Sequence, residues 1–154
     1  MTQKVHIDWD YVEKACKKLA QLVKKENPQV IVAITKGGLP IATIMANKYL
    51  DNPPIITIQL KETTHGTRKA NYQAKRVDLI SPLNSYPIIN KRVLIVDDVS
   101  DSGSTLSEAV KITNKLNPKK IITATLFYKP RTKLIPDYYT KKFADDIWIV
   151  HPWE

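Results

Sequence analysis

The stretch that decides the fold is VLIVDDVSDSGST, residues 93–105. Residues 92–98 form an apolar run that ends in two carboxylates, which is typical of a strand covered on both faces. A turn of small residues follows the carboxylates. After the turn, apolar residues recur at helical spacing over 105–116 and stop at Asn117-Pro118. The pattern therefore predicts a buried strand, a tight turn and a helix.

The segments on both sides repeat this alternation of strand and helix. Residues 8–26 place apolar side chains at helical spacing behind Asp8 or Asp10 as the N-cap, and predict a helix. A continuous β-branched run predicts a buried strand at 30–34, and a second helix is predicted from residue 39 to about residue 49. Further strands are predicted at 55–60, 120–128 and 147–150, with a shorter one at 77–80.

This order of elements predicts an α/β fold with a central, mostly parallel sheet and helices on both faces. Ligands of such sheets bind at the carboxyl ends of the strands. The glycines agree with that placement, because all four lie in loops at or near strand exits: Gly37, Gly38, Gly66 and Gly103. Since no internal repeat or linker divides the chain, we expect residues 1–154 to form one domain.

Composition narrows the class of protein. Of the 154 residues, 43% are hydrophobic and 25% are charged, as in an ordinary globular domain rather than a disordered chain. Cys16 is the only cysteine, which excludes an intramolecular disulfide, and its place on the apolar face of the first helix favours a buried thiol. Neither a membrane span nor a signal-peptide pattern is visible. We therefore expect a cytoplasmic protein without a membrane partner.

The net charge is strongly positive. The chain has 24 Lys and Arg against 15 Asp and Glu, a formal charge of +9. This charge indicates attraction to nucleic acid, an acidic membrane surface or a phosphate-rich substrate, or it belongs to a solvated lysine-rich surface. Much of it lies in the polar segment 61–76, which has no apolar period and predicts a long loop.

The turn after the central strand has the chemistry of a phosphate site. Ser, Gly and Thr at a helix start offer backbone amides, hydroxyl donors and the positive helix end. Asp97 and Asp98 are acceptors for a sugar diol or, through water, for Mg²⁺. Helix capping would use one acid of this stretch, but three within five residues exceed what a cap needs. Neither the Walker A spacing nor the GxGxxG fingerprint is present.

These residues closely resemble the 5-phosphoribosyl-1-pyrophosphate (PRPP) motif of type I phosphoribosyltransferases. The resemblance implies that family's fold, with a flexible loop and a small hood formed by about 128–154 together with the N-terminal segment. It implies that Asp97 and Asp98 engage the ribose hydroxyls, and that they bind Mg²⁺ directly or through water. It also implies a 5-phosphate loop formed by Asp101, Ser102, Gly103, Ser104 and Thr105. In members acting on 6-oxopurines, the position of Asp101 is the catalytic acid or base.

The resemblance continues at two other loops. Thr35, Lys36, Gly37 and Gly38 are similar to the family's pyrophosphate loop, in which the peptide before the cation is often cis. An ordinary Gly-Gly turn is the alternative reading of this segment. The basic segment 61–76 lies where the family has a mobile flap over the reacting centre. The alternative for that segment is a solvated linker.

The C-terminal segment resembles the purine pocket of xanthine-guanine and hypoxanthine-guanine enzymes. Lys129 matches the lysine that faces the 6-oxo group, Trp148 matches the aromatic residue that stacks on the base, and Ile149 matches the residue whose backbone meets the base edge. Glu154 stands where related enzymes commonly have Asp, and its role toward a second metal stays open. Trp148 by itself would also suit core packing.

Together these matches predict a Mg²⁺-dependent purine salvage enzyme that transfers the phosphoribosyl group of PRPP to a 6-oxopurine, giving a nucleoside monophosphate and pyrophosphate. The resemblance implies a homodimer or homotetramer. One alternative is a PRPP- or nucleotide-sensing regulator of the same fold that binds nucleic acid, although no basic helix or aromatic-basic platform is visible. The other alternative is a phosphoribosyltransferase for another base. The sequence does not rank guanine, hypoxanthine and xanthine.

Overall fold

A computed structural model describes residues 3–65, 74–81 and 88–154 of the chain. The helices are α1 (Trp9–Val23), α2 (Gly38–Lys48) and α3 (Ser104–Asn114), and a 3₁₀ turn (Lys24–Glu26) continues α1. The strands are β1 (Gln3–His6), β2 (Val30–Thr35), β3 (Ile55–His65), β4 (Ala74–Ser81), β5 (Arg92–Ser100), β6 (Lys120–Tyr128), β7 (Tyr138–Lys142) and β8 (Ile147–Val150).

Six of the strands form one sheet in the order β4-β3-β2-β5-β6-β7. All neighbours in it pair in parallel, except β3 and β4, which pair antiparallel. The central strands β2 and β5 are buried almost throughout, as their continuous apolar runs predict. The prediction of an α/β fold with a mostly parallel sheet is confirmed, and the carboxyl ends of β2, β5 and β6 meet at one edge.

The helices cover both faces of this sheet. Helix α1 begins at Asp8, whose carboxylate accepts the backbone N–H of Tyr11 at 2.7 Å, and it buries Val12, Cys16 and Leu19 beside α2. Helix α3 covers the opposite face with Leu106. Burying each large apolar side chain stabilises the fold by about 1.5–3 kcal/mol. None of the helices in the described ranges is long and apolar enough to cross a membrane.

The prediction of a loop over 61–76 is wrong for much of that segment. Strand β3 continues to His65 and β4 starts at Ala74, and their antiparallel register runs from Gln59↔Ser81 to His65↔Ala74 with an irregularity at 59/60. At the edge of a sheet, ladder hydrogen bonds form without an apolar alternation in the sequence. A polar composition is therefore not sufficient evidence for a loop. The predicted flap tip, 66–73, and most of the turn-rich segment, 82–87, lie outside the described residues.

Two short strands, β1 and β7, were not predicted from the sequence. Strand β7 is the other edge of the main sheet, and β1 pairs in parallel with β8 to form a separate two-stranded sheet. In that small sheet Val5 lies beside Ile149, so the N-terminal segment meets the C-terminal segment next to the site. β1 (QKVH) and β7 (YYTKK) are short and mostly polar, so no apolar run marks them in the sequence, and only the partner strand supplies their hydrogen bonds.

Candidate active site

Two adjoining cavities lie at the carboxyl edge of the sheet. The first, about 220 Å³, is lined by the end of β5, the turn after it and the start of α3. The second, about 120 Å³, is lined by residues from β5, from the segment after β6 and from the C-terminus. Asp98, Val99 and Asp101 line both cavities. A ligand that fills both cavities would therefore meet the two parts of the site on either side of Asp98 and Asp101.

Asp97, which is buried, and Asp98, which is partly buried, form a carboxylate pair at the end of β5. An oxygen of Asp97 accepts the N–H of Asp98 at 2.9 Å, and an oxygen of Asp98 accepts the N–H of Val99 at 2.7 Å. Burial, followed by the charge of Asp98, raises the pKa of the Asp97 carboxyl well above its usual range. Burial also raises the pKa of Asp98, and the electrostatic interaction of Asp98 with His151 opposes that rise. The remaining carboxylate lone pairs are available to a hydroxyl or cation.

The predicted phosphate loop is a turn held from outside. Gly103 is the N-cap residue of α3 and has φ 79°. It has no side chain that could cap the helix. A Cβ at Gly103 would lie 2.5 Å from the hydroxyl of Thr132 and 2.7 Å from the nitrogen of Leu134. The carbonyl of Ser102 accepts the N–H of Lys133 at 2.9 Å. Segment 132–134 thus braces the loop. The N–H of Ser104 donates to the hydroxyl of Ser102 at 3.2 Å, and because Gly103 brings no side chain to the N-cap position, the start of α3 still offers N–H groups to an anion.

The predicted pyrophosphate loop lies beside the carboxylate pair. The peptide between Thr35 and Lys36 is cis, which confirms the expectation taken from the resemblance. A Cβ on Gly37 would lie 2.5 Å from Cγ of Asp98, and one on Gly38 would lie 3.0 Å from the carbonyl carbon of Val96. Both glycines therefore allow this loop to pack directly against β5. Lys36 is exposed, and nothing in the described part of the chain pairs with its ammonium.

Asp101 stands between two cations. Its Oδ2 lies 3.3 Å from Nζ of Lys129, and its Oδ1 lies 2.5 Å from the guanidinium of Arg131. Burial works against ionisation of Asp101, but the hydrogen bond of Arg131 and the charges of Lys129 and Arg131 outweigh it and lower the pKa of the carboxyl. Asp101 is therefore a carboxylate near neutral pH, and its oxygens accept protons or N–H groups.

The second cavity contains the residues predicted to bind a base. Lys129 is buried, with 4% of its surface exposed, and Ile149 is also buried. Trp148 is 53% exposed and lines the cavity, so its indole is not a core side chain. Lys129, Trp148 and Ile149 thus meet around one small space next to Asp101, and a planar heterocycle would find a cation, an aromatic face and backbone groups there.

His151 is a site residue to which the sequence alone assigned no role. Its ring is buried, and Nδ1 lies 2.9 Å from Oε1 of Glu154 and 3.7 Å from Oδ2 of Asp98. Arg131 and Thr132 were missed for the same reason, because each acts on a residue about 30 positions away. The only sequence signal was their place next to Lys129 and Glu154.

The donor set suits a cation carried by a substrate. Asp97, Asp98 and Glu154 offer oxygen ligands, which Mg²⁺ prefers, yet the described residues contain no group of three that would hold a metal by themselves. Mg²⁺ is usually bound through one or two carboxylates together with substrate phosphates and water. The residues present therefore fit Mg²⁺ that arrives with a phosphate ligand, and they do not form a closed metal cage.

Comparison with known proteins agrees with this geometry. The phosphoribosyl transferase domain family matches residues 8–154. Xanthine-guanine phosphoribosyltransferase of Ruegeria sp. (strain TM1040) is 32% identical, covering 97% of this chain and 84% of that protein. The crystal structure of a purine phosphoribosyltransferase from Pyrococcus horikoshii OT3 superposes with a TM-score of 0.84 at 34% identity, over 98% of this chain and 94% of that one.

A further solved structure has a ligand in its description. It is a hypothetical protein from Neisseria gonorrhoeae with bound ppGpp, with a TM-score of 0.85 and 25% identity over 100% of this chain and 90% of that one. The fold is that of a mostly parallel α/β protein with a polar site at the carboxyl edge of its sheet, and the relatives are transferases. The chain belongs to the phosphoribosyl transferase family. The predictions of a type I phosphoribosyltransferase fold and of a phosphoribosyl-transfer enzyme are confirmed.

Proposed function

We propose that this protein is a purine salvage enzyme that transfers the 5-phosphoribosyl group of PRPP to a 6-oxopurine: guanine, hypoxanthine or xanthine. The observation that carries the proposal is the pair of adjoining cavities sharing Asp98 and Asp101. One cavity has the chemistry for a phosphorylated sugar and the other for a flat base. The names of the relatives, xanthine-guanine and purine phosphoribosyltransferase, support the same substrates.

The base side of the reaction belongs to Asp101, Lys129 and Trp148. A purine ring nitrogen forms a bond to the anomeric carbon of PRPP as the bond from that carbon to the pyrophosphate oxygen breaks. The proton of the ring nitrogen passes to Asp101, whose carboxylate is ionised beside Lys129 and Arg131. Lys129 faces the 6-oxo group, and the exposed indole of Trp148 stacks on the base. Backbone groups at Ile149 meet the base edge.

The PRPP side belongs to the other loops. Asp97 and Asp98 accept hydrogen bonds from the ribose hydroxyls, and residues 101–105 hold the 5-phosphate at the start of α3. Thr35, Lys36, Gly37 and Gly38 lie where the leaving pyrophosphate would be, with the exposed Lys36 ammonium to neutralise it. The family generally uses Mg²⁺ with PRPP; Asp97, Asp98 and Glu154 would hold it, and it supplies charge neutralisation of the leaving pyrophosphate.

The experiment supplies PRPP and Mg²⁺ with guanine, hypoxanthine, xanthine, adenine or uracil in separate reactions, and measures nucleotide by chromatography. We expect product from one or more 6-oxopurines. Asp101→Ala should lower turnover by about 10²- to 10⁴-fold, the usual value of general acid-base catalysis, while PRPP still binds. Lys129→Ala should mainly reduce the use of 6-oxo bases. Product from adenine or uracil alone would contradict the proposed base class.

Nucleotide sensing is the second candidate function. It is favoured by one observation, the bound ppGpp in the similar protein from Neisseria gonorrhoeae. If no base gives product while PRPP or a guanine nucleotide binds in calorimetry, the sensor is supported and the enzyme is rejected. The same preparation titrated with random RNA at physiological salt tests the nucleic-acid partner of that alternative, which we do not expect for the enzyme.

We also propose the assembly and location that the family resemblance implies. The chain would be one domain that forms a homodimer or homotetramer in the cytoplasm. Several large apolar side chains are exposed and available for subunit contacts, among them Ile89 and Ile135, which are 50% and 58% exposed. Light scattering after size exclusion would show a mass of two or four chains, whereas a monomer at micromolar concentration would contradict this proposal.

A further inference from the structure

His151 packs beside two aromatic rings. Its imidazole is 4.7 Å from the Trp153 ring at an angle of 13°, and 6.0 Å from the Phe127 ring at 23°. Only 2% of its side chain is exposed. Both aromatic rings are nearly parallel to the imidazole, so its polar groups meet partners along the edge of the ring. The plane and position of the imidazole are therefore set by packing from β6 and from the C-terminal turn.

One edge of the ring meets two acids of the site. Nδ1 is 2.9 Å from Oε1 of Glu154, and because a carboxylate only accepts, the ring nitrogen is the donor. The same nitrogen is 3.7 Å from Oδ2 of Asp98, too long for a hydrogen bond but close enough for attraction. Nε2, in contrast, is buried and has no partner in the described part of the chain. Within the described residues, the polar contacts of the His151 side chain are thus with two acids of the proposed site.

The carboxylate of Asp98 depends on these neighbours for its orientation. Its Oδ1 accepts the N–H of Val99 at 2.7 Å, and the backbone of Gly37 packs against its side. His151 approaches Oδ2 of Asp98 and joins this carboxylate to Glu154, which is 56 positions away in the chain. Without the imidazole N–H, two carboxylates would face one another with nothing between them.

We infer that His151 is a positioning residue that holds the carboxylates of Asp98 and Glu154 in place for PRPP and its cation. The inference rests on the proposed function. Residues that orient metal ligands typically change metal affinity by about 10- to 100-fold when they are replaced. His151 contacts neither of the other groups assigned to PRPP, the turn at 101–105 and the loop at 35–38, so its effect is exerted through the two acids.

The test compares His151→Phe with His151→Asn. Phenylalanine keeps the stacking but has no N–H, whereas asparagine places an amide nitrogen on Cγ, as histidine places Nδ1. The affinity for PRPP with Mg²⁺ is measured by calorimetry without a base, so that no turnover occurs, and thermal unfolding is followed in parallel. His6→Phe is the matched control, because His6 is exposed on β1.

We expect His151→Phe to weaken PRPP binding by about 10- to 100-fold and His151→Asn to recover most of the loss. The melting temperature should not follow the PRPP affinity. Because phenylalanine removes the unpartnered buried Nε2, His151→Phe should melt no lower than His151→Asn. Equal PRPP affinity of the wild type and His151→Phe would overturn the positioning role alone. Equal weakness of both variants would also overturn it. Failure of the wild-type protein to bind PRPP would overturn the proposed function and this role with it.

Discussion

Replacing Gly37 by alanine tests how closely the pyrophosphate loop packs on the carboxylate pair. The backbone at Gly37, with φ −60° and ψ −37°, suits alanine, so the substitution acts through space and not through torsion strain. The new Cβ would lie 2.5 Å from Cγ of Asp98, and ordinary contact begins at 3.4 Å. The difference, 3.4 minus 2.5, requires a displacement of at least 0.9 Å of the carboxylate or of the loop, because Oδ2 of Asp98 lies closer to the new Cβ than Cγ does.

The expected loss follows from that displacement. A misplacement of about 1 Å in a reacting group costs on the order of 100-fold in rate, so kcat/KM for PRPP should fall by about that factor. Overpacking costs about 1–3 kcal/mol, and the lower entropy of unfolded alanine returns about 0.4–1 kcal/mol, so the free energy of unfolding should fall by at most about 2–3 kcal/mol. Steady-state kinetics and urea unfolding measure the two effects.

A double-mutant cycle shows whether Asp98 causes the clash. Asp98→Ala removes the carboxylate that Gly37→Ala would strike, so the stability loss of Gly37→Ala should disappear in that background, with a coupling of about 1–3 kcal/mol. Gly38→Ala is the control. Its Cβ would strike the carbonyl of Val96 and come 3.1 Å from Cα of Asp97, so Asp98→Ala should not relieve it. The same stability loss for Gly37→Ala in both backgrounds would refute the reasoning.

Three further predictions concern single side chains. Arg131→Gln removes the guanidinium that lowers the pKa of Asp101, so this pKa should rise. On acidification, the variant should therefore lose activity at a higher pH than the wild type. Identical kcat profiles of the two proteins between about pH 4 and 7 would contradict this. Trp148→Ala should raise KM for the base by about 10- to 100-fold through lost stacking, and Trp148→Phe should raise it less, with little change in melting temperature because the indole is exposed. Cys16 is buried, and burial raises the pKa of its thiol to about 12, so iodoacetamide should label it only after unfolding; labelling of the native protein would show that the thiol is accessible.

Much of the site could be predicted because it follows buried strands along the chain. Asp97 and Asp98 come directly after the apolar run of β5, and Gly37 and Gly38 come directly after that of β2. Parallel strands end at one edge of the sheet, so residues just beyond them meet there. The cis peptide before Lys36 was expected from the family resemblance and is present. The functional roles of these residues stay predictions until the variants are measured.

Other features could not be read from the chain alone. The polar residues after Leu60 read as a loop, yet the backbone there pairs with β4, because an edge strand takes its stability from ladder hydrogen bonds. From the sequence, Gly37 and Gly38 are expected to let the backbone approach pyrophosphate. The structure shows a second reason for glycine at both positions, which is their close contact with β5. Local pattern does not show which backbone lies next to a given residue.

The sequence by itself determined the order of the three helices and of the buried strands, and the chemistry of the loops, since hydrophobic period and turn residues are local properties. Only the tertiary structure decided the partners of those loops. Arg131 reaches Asp101, Thr132 packs on Gly103, and His151 joins Asp98 to Glu154. Apart from the contact of His151 with Glu154, which are three positions apart, these contacts join residues that are distant in sequence. Those residues come together only when β5, β6 and β8 are packed into one fold, so no spacing along the chain records them.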